Sequence, residues 1–216
     1  MPRLAPIALA CVLLLPRLAA GDSREQLAES YIASTFRAIV AVAQGASSDR
    51  DAMEALRGWL DQAVALDATA CFVLGKNWPT NNAEMGLRFQ QQFRELAVTA
   101  LAVALRTHRE IALDVQRSRN SNGDIVVYSQ LTLSPGLRLP VAFVVHPEGA
   151  KGRRRIANIV VDGIDAQVVL REMVATALAD NGGNVEAAIT LFHHAAARID
   201  AYRATVGQPD DSQTVQ

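Results

Sequence analysis

The chain has 216 residues, half of them hydrophobic but only 5% aromatic, with 21 basic against 22 acidic side chains. That length suits one domain with a substantial core, and the faintly acidic balance argues against nucleic acid as the main partner. The apolar content is mostly Ala, Val and Leu, which suits helices and supplies many small side chains.

The N-terminus reads as a secretory signal. Arg3 supplies the positive start, Ala5 to Leu15 is an almost purely apolar run, and Ala19, Ala20 and Gly21 offer a cleavage site. Pro16 and Arg17 end the run short of the roughly 20 apolar residues a membrane span needs. Cys11 lies inside the run, after Ala8-Leu9-Ala10, where a lipidation site would not normally fall. Residues 1–21 are therefore expected to be a signal peptide, 22–206 a single domain and 207–216 a disordered polar tail. Cleavage removes Arg3 and Arg17 and no acid, leaving 19 basic against 22 acidic side chains, a net charge of −3. Only Cys71 survives, so no internal disulfide can form; a buried, inert thiol is expected, in keeping with a bacterial periplasm.

Helical spacing dominates the first half. Asp22 and Ser23, with Gln26, form a capping signal before a helix with Ala28, Ile32, Phe36, Ile39 and Ala43 on one face, ended by Gly45. Ser48 can cap a second helix with Met53, Leu56, Leu60, Ala63 and Val64 inward. Asp67 looks like the cap of a short third helix stopped by Gly75. Pro79 and Thr80 should start a long fourth helix with Phe89, Phe93, Leu96 and Ala100 on one side. Its end, Leu96 to Leu105, carries no charge on any face, so it is either packed on all sides or lines an apolar space.

The period then changes to two. Ile111, Leu113 and Val115 alternate with polar or small residues, Asn120-Ser121-Asn122-Gly123 is a hairpin turn, and Ile125, Val127, Leu131 and Leu133 share one face of the next strand. A third strand carries Leu139, Val141, Phe143 and Val145, His146-Pro147-Glu148-Gly149 turns the chain, and a last strand runs from about Arg155 to Asp162. Four such strands imply an antiparallel meander with one face on the core. Asp165 is placed to cap a helix with Val169, Leu170, Met173 and Ala177 inward, and Asn184 a final helix with Val185, Ile189, Phe192 and Ile199 inward. The expected fold is α+β: N-terminal helices, a four-stranded antiparallel sheet and two C-terminal helices around an apolar cavity.

Catalytic and metal-binding motifs are missing. There is no Gly-x-Ser-x-Gly, phosphate loop, His-Glu-x-x-His or Cys-x-x-Cys. Adjacent His193 and His194 diverge by about 100° on a helix and cannot easily share a metal. No catalytic residue, metal or cofactor is expected. Lys151, Arg153, Arg154 and Arg155 form the one basic cluster, readable as a solvated strand end or as a contact for acidic headgroups or an acidic partner.

From Leu66 to Leu105 the chain resembles the MlaC family of periplasmic phospholipid carriers. The matching residues are Asp67, Leu74-Gly75, Trp78 and the helix Phe89-Gln90-Gln91-Gln92-Phe93-Arg94-Glu95-Leu96; Ile159-Val160-Val161-Asp162-Gly163-Ile164 and the segment Gly182 to Leu191 also match. The chain departs from the family pattern at Asn158, where Asp is usual, at Asp165, where Ser is usual, and at Leu101, which replaces a common Tyr. Arg154-Arg155-Ile156 also stands where the family tends to have an aromatic residue. The resemblance implies a periplasmic carrier in a Gram-negative bacterium, shuttling phospholipid, or a related lipid such as a hopanoid, between an outer-membrane lipoprotein complex and an inner-membrane ABC transporter complex. It implies lipid as cargo and no enzymatic activity.

The expected cavity lies between the apolar sheet face and the uncharged helix, lined by Leu74, Phe93, Leu101, Val127, Leu131, Val141, Phe143 and Val160. Two rivals stay open: a cavity-less periplasmic protein-interaction module, and a small enzyme using Tyr128, Asn158 or His146.

Overall fold

The computed structural model describes residues 24–108, 110–133, 136–146 and 153–206. The signal segment, the Asp22–Ser23 capping signal, the Pro147–Gly149 turn, Lys151 and the polar tail lie outside the described residues.

The described residues form six α-helices and one sheet: α1 (Arg24–Gly45), α2 (Asp49–Ala63), α3 (Leu66–Leu74), α4 (Ala83–Thr107), α5 (Ala166–Asp180) and α6 (Val185–Val206). The strands are β1 (Ile111–Ser121), β2 (Asp124–Leu133), β3 (Leu137–His146), β4 (Arg155–Val161) and β5 (Ile164–Asp165), antiparallel in sequence order. The α+β expectation holds, with five strands in place of four. The added strand is two residues long. Asp162 (φ 50°) and Gly163 (φ 79°) form a tight turn that folds Ile164–Asp165 back onto Val160–Val161. An Asp-Gly pair between strands is a strong hairpin signal, and it stood in the sequence. Asn122 (φ 53°) and Gly123 (φ 93°) make the corresponding β1–β2 turn.

Ser48 caps α2 by accepting from the Asp51 N–H, and Asp165 caps α5 by accepting from the Val168 N–H. Asn184 accepts from the Glu186 N–H at the start of α6. Two expected starts are corrected. Asp67 sits in the first turn of α3, whose N-cap is Ala65 with no side-chain bond. Pro79 and Thr80 precede α4, which begins three residues later, capped by Asn82 on the Met85 N–H.

The core has two parts. Leu56, Leu60, Leu66, Val73, Leu74, Phe89, Phe93, Val98, Val174 and Phe192 belong to a helical cluster. Ala28, Ile32, Ile125, Val127, Val141, Phe143, Val145 and Ile156 form a second cluster on the inward sheet face. Helix α1 joins them, with Ile32 in the sheet cluster and Ile39 in the helical one. It lies along β1 and β2, whereas α4 packs chiefly against α6 and α2. The long helix is also less enclosed than its uncharged end suggested, since Ala100 and Ala104 are exposed. On α5 the buried positions are Val174 and Leu178; Val169 and Met173, expected inward, are 40% and 42% exposed. This helix is apolar almost all round, so spacing alone could not choose its buried side.

Candidate functional site

Two β-bulges govern which side chains face the interior. In β1, Val115 pairs with Ser129 and Arg117 with Tyr128, leaving Gln116 as the extra residue. The inward face therefore runs Leu113, Val115, then Ser118, whose hydroxyl donates to Glu29 of α1 at 2.7 Å. In β4, Asn158 pairs with Val144 and Ile156 with Val145, leaving Ala157 extra. The Ala157 carbonyl is held from the helical side, accepting from Gln167 Nε2 at 2.6 Å and Thr69 Oγ1 at 3.3 Å. An extra residue reverses the alternation beyond it, so Ile156 faces inward before the bulge and Ile159 and Val161 after it.

Those registers divide the eight expected cavity residues. Val127, Val141 and Phe143 are buried in the sheet cluster, with Leu131 partly buried against it. Leu74 and Phe93 are buried in the helical cluster, with Leu101 partly buried against that. Val160 pairs with Ala142, between the inward Val141–Val161 and Phe143–Ile159 pairs, and so lies on the other face of the sheet. Stepping by two from Ile156 leads to Val160 only if the bulge at Ala157 is overlooked.

Open space flanks α1 on both sides. A cleft of about 560 Å³ separates it from the edge strand β1, with Ala33, Phe36, Arg37 and Val40 facing Ile111 and Leu113. On the opposite side a cleft of about 520 Å³ runs between α1 and α2, walled by Tyr31, Thr35, Trp59 and Ala63, with Arg153 and Arg154 at its rim. Both volumes fall within the roughly 300–1,000 Å³ of ligand sites. Tyr31 Oη donates to the Ala63 carbonyl at 3.0 Å, and Trp59 Nε1 to the Thr35 carbonyl at 3.1 Å, tying α1 to α2. Burial raises the Tyr31 phenol above its ordinary range. None of the eight expected cavity residues is among the walls of these clefts. The sequence signal for the α1–β1 cleft lies in Phe36, Ile111 and Leu113, apolar positions whose spacing marks one face of each element but does not bring the elements together.

The polar residues weighed for enzyme chemistry have structural partners. Asn158 Nδ2 donates to Asp165 Oδ2 at 2.9 Å, while its Oδ1 accepts from the Ile159 N–H at 2.8 Å. His146 Nδ1 meets the Asp124 carboxylate across the β2–β3 pair. Tyr128 lies beneath the Arg117 guanidinium, 4.5 Å from the ring centre. Among the described residues, no group of three His, Cys, Asp or Glu could hold a metal ion. Cys71 is exposed, against expectation; partial desolvation and the nearby Asp67 push its thiol up.

The MlaC protein family profile matches residues 31–192, well over half of the chain. The chain belongs to the MlaC family. Its fold is also that of a phospholipid-binding protein from Ralstonia solanacearum, solved in complex with a phospholipid; the two superpose with a TM-score of 0.65 at 19% identity, over 80% of this chain and 98% of the other. No curated protein sequence matches this one. The motif residues of this MlaC family member serve its architecture. Phe89 and Phe93 stack near Phe192 in the helical core. Gly75 turns the chain after α3 at φ 54°, where an added Cβ would lie 3.0 Å from the Arg171 guanidinium. Gly86 lets Trp78 lie against α4, since a Cβ there would come within 3.2 Å of its ring.

Proposed function

We propose that this MlaC family member is a periplasmic lipid carrier, exported by its N-terminal segment, that holds the acyl chains of a phospholipid or related membrane lipid. The observation that carries the reading is the apolar cleft between α1 and the sheet edge, in a chain of this family and fold. The acyl chains enter between α1 and β1 and spread over the inward sheet face. Leu131, Val127, Val141 and Phe143 form the floor, Leu74, Phe93 and Leu101 bound the helical side, and Val160 supports the sheet from its far face. Among the described residues no helix is long and apolar enough to cross a membrane.

Magnitudes favour a passive carrier. Two chains of about 15 methylenes represent roughly 24 kcal/mol of apolar burial at ~0.8 kcal/mol each, so passage through free water is too slow to be useful. Transfer from a bilayer into an equally apolar interior nearly cancels that term. Direction then comes from the partners, an outer-membrane lipoprotein complex and an inner-membrane ABC transporter complex, and no covalent chemistry is needed.

A second reading, a module that binds only proteins, draws on the exposed apolar side chains of Phe72 on α3 and Val168, Val169 and Met173 on the neighbouring α5. Native mass spectrometry of the protein isolated from periplasm, with extraction of any bound lipid, separates the two. Stoichiometric phospholipid or hopanoid supports the carrier; protein that carries no lipid and cannot be loaded from vesicles leaves only the module.

A further inference from the structure

The inward stripe of β2 reads Ile125, Val127, Ser129, Leu131, Leu133, and a single polar side chain interrupts it. Ser129 is 3% exposed, and its Oγ has no hydrogen-bond partner among the described residues. Buried hydroxyls without partners are rare and costly, and an unfilled one asks for a missing group. Its cross-strand neighbours are Val115 and Val141, and along its own strand Val127 and Leu131 flank it on the same face. A trapped water wants two to four polar partners, which these side chains do not offer.

The surroundings point the same way. Leu113, which walls the α1–β1 cleft, pairs with Leu131, and the Val115–Ser129 pair comes next on that face. Two residues along a strand span about 7 Å, so the hydroxyl lies one pair of side chains further in than the cleft wall. The β1 bulge at Gln116 falls beside that same pair, distorting the edge strand where the hydroxyl is buried. Bulges concentrate near functional sites and barrel or sheet edges.

We propose that Ser129 Oγ donates a hydrogen bond to an ester carbonyl of the bound lipid, an inference that rests on the carrier reading. Hydrocarbon tails offer no acceptor, and a charged headgroup stays in water at the cleft mouth. The ester carbonyl is the polar atom of a diacyl lipid that follows the chains inside. The Ser129 hydroxyl then sets the depth to which the lipid is drawn and favours ester-linked over ether-linked cargo.

The test loads the delipidated mature chain from vesicles containing equal amounts of a diacyl phosphatidylethanolamine and its dialkyl ether analogue of the same chain length, then measures the ratio extracted from the protein. Wild type should favour the ester roughly 3- to 10-fold, the range of one buried hydrogen bond. Ser129→Ala should load both equally while melting no lower than wild type in the lipid-free state, and Ser129→Thr should keep the preference. Equal loading by wild type, or an undiminished preference in Ser129→Ala, overturns the proposal and leaves the carrier standing. Failure of wild type to load either lipid overturns the phospholipid form of the carrier reading, and this proposal with it. If Ser129→Ala fails to fold, the isosteric pair Ser129→Thr and Ser129→Val decides: Thr should keep the ester preference and Val should lose it, and equal ratios in the two overturn the proposal.

Discussion

Asn158 and Asp165 are joined by a 2.9 Å hydrogen bond from Asn158 Nδ2 to Asp165 Oδ2. The other Asp165 oxygen caps α5 on the Val168 N–H at 3.1 Å. Here an amide donates to a carboxylate, and the bond ties β4 to the start of α5.

Asn158→Asp alone should therefore set two partly buried carboxylates against each other and cost about 1–3 kcal/mol at neutral pH. Adding Asp165→Ser should restore most of the loss, since Ser still caps a helix. Urea melts of both single variants and the double variant measure the coupling; additive losses would show that the contact carries no weight.

Phe192 is fully buried, with its ring centre 5.4 Å from that of Phe89 and 5.7 Å from that of Phe93. Phe192→Ala should lower unfolding stability by about 3–5 kcal/mol, because it empties the contact that fastens α6 to α4. Chemical denaturation reads this directly, and a loss under about 1 kcal/mol would mean that the helical core closes over the gap.

Filling the α1–β1 cleft should cost cargo rather than fold. Ala33→Trp places a large ring at the cleft wall, where Ala33 is only half-buried, and should reduce extracted lipid several-fold at a nearly unchanged melting temperature. Val127→Trp, on the floor over which the chains spread, should lower lipid content as well, but Val127 is completely buried in the sheet cluster, so overpacking there should also cost about 1–3 kcal/mol. Full lipid content in a folded Ala33→Trp protein would remove the cleft from the binding path.

Cys71 should behave as a sluggish thiol although it is exposed. Desolvation first, and the Asp67 carboxylate second, raise its pKa, so less thiolate is present at a given pH. Alkylation at mildly alkaline pH should run slower than for the unfolded chain, and Asp67→Asn should speed it modestly. A pH midpoint equal to that of the unfolded protein would contradict this.

Much of the architecture was written locally. The switch from a period near 3.6 to a period of two separates α4 from β1 without any tertiary information, because helices and strands present side chains at different intervals. Asn122-Gly123 specified its hairpin, and Ser48 and Asp165 their helix starts, through backbone preferences that need no distant partner. Asp162-Gly163 carried the same kind of turn signal and accounts for the fifth strand. Family membership was legible too, in Gly75, Trp78, Phe89 and Phe93, which shape the helical core.

What faces what was decided only by the folded chain. The bulges at Gln116 and Ala157 each insert one residue and reverse the faces beyond them, and nothing in a run of alternating apolar residues announces the slip. That α1 rather than the uncharged end of α4 lies along β1 and β2 depends on packing between elements far apart in sequence. So does the isolation of the Ser129 hydroxyl: its chemistry is visible in one letter, but whether a donor is answered depends on every side chain that closes around it.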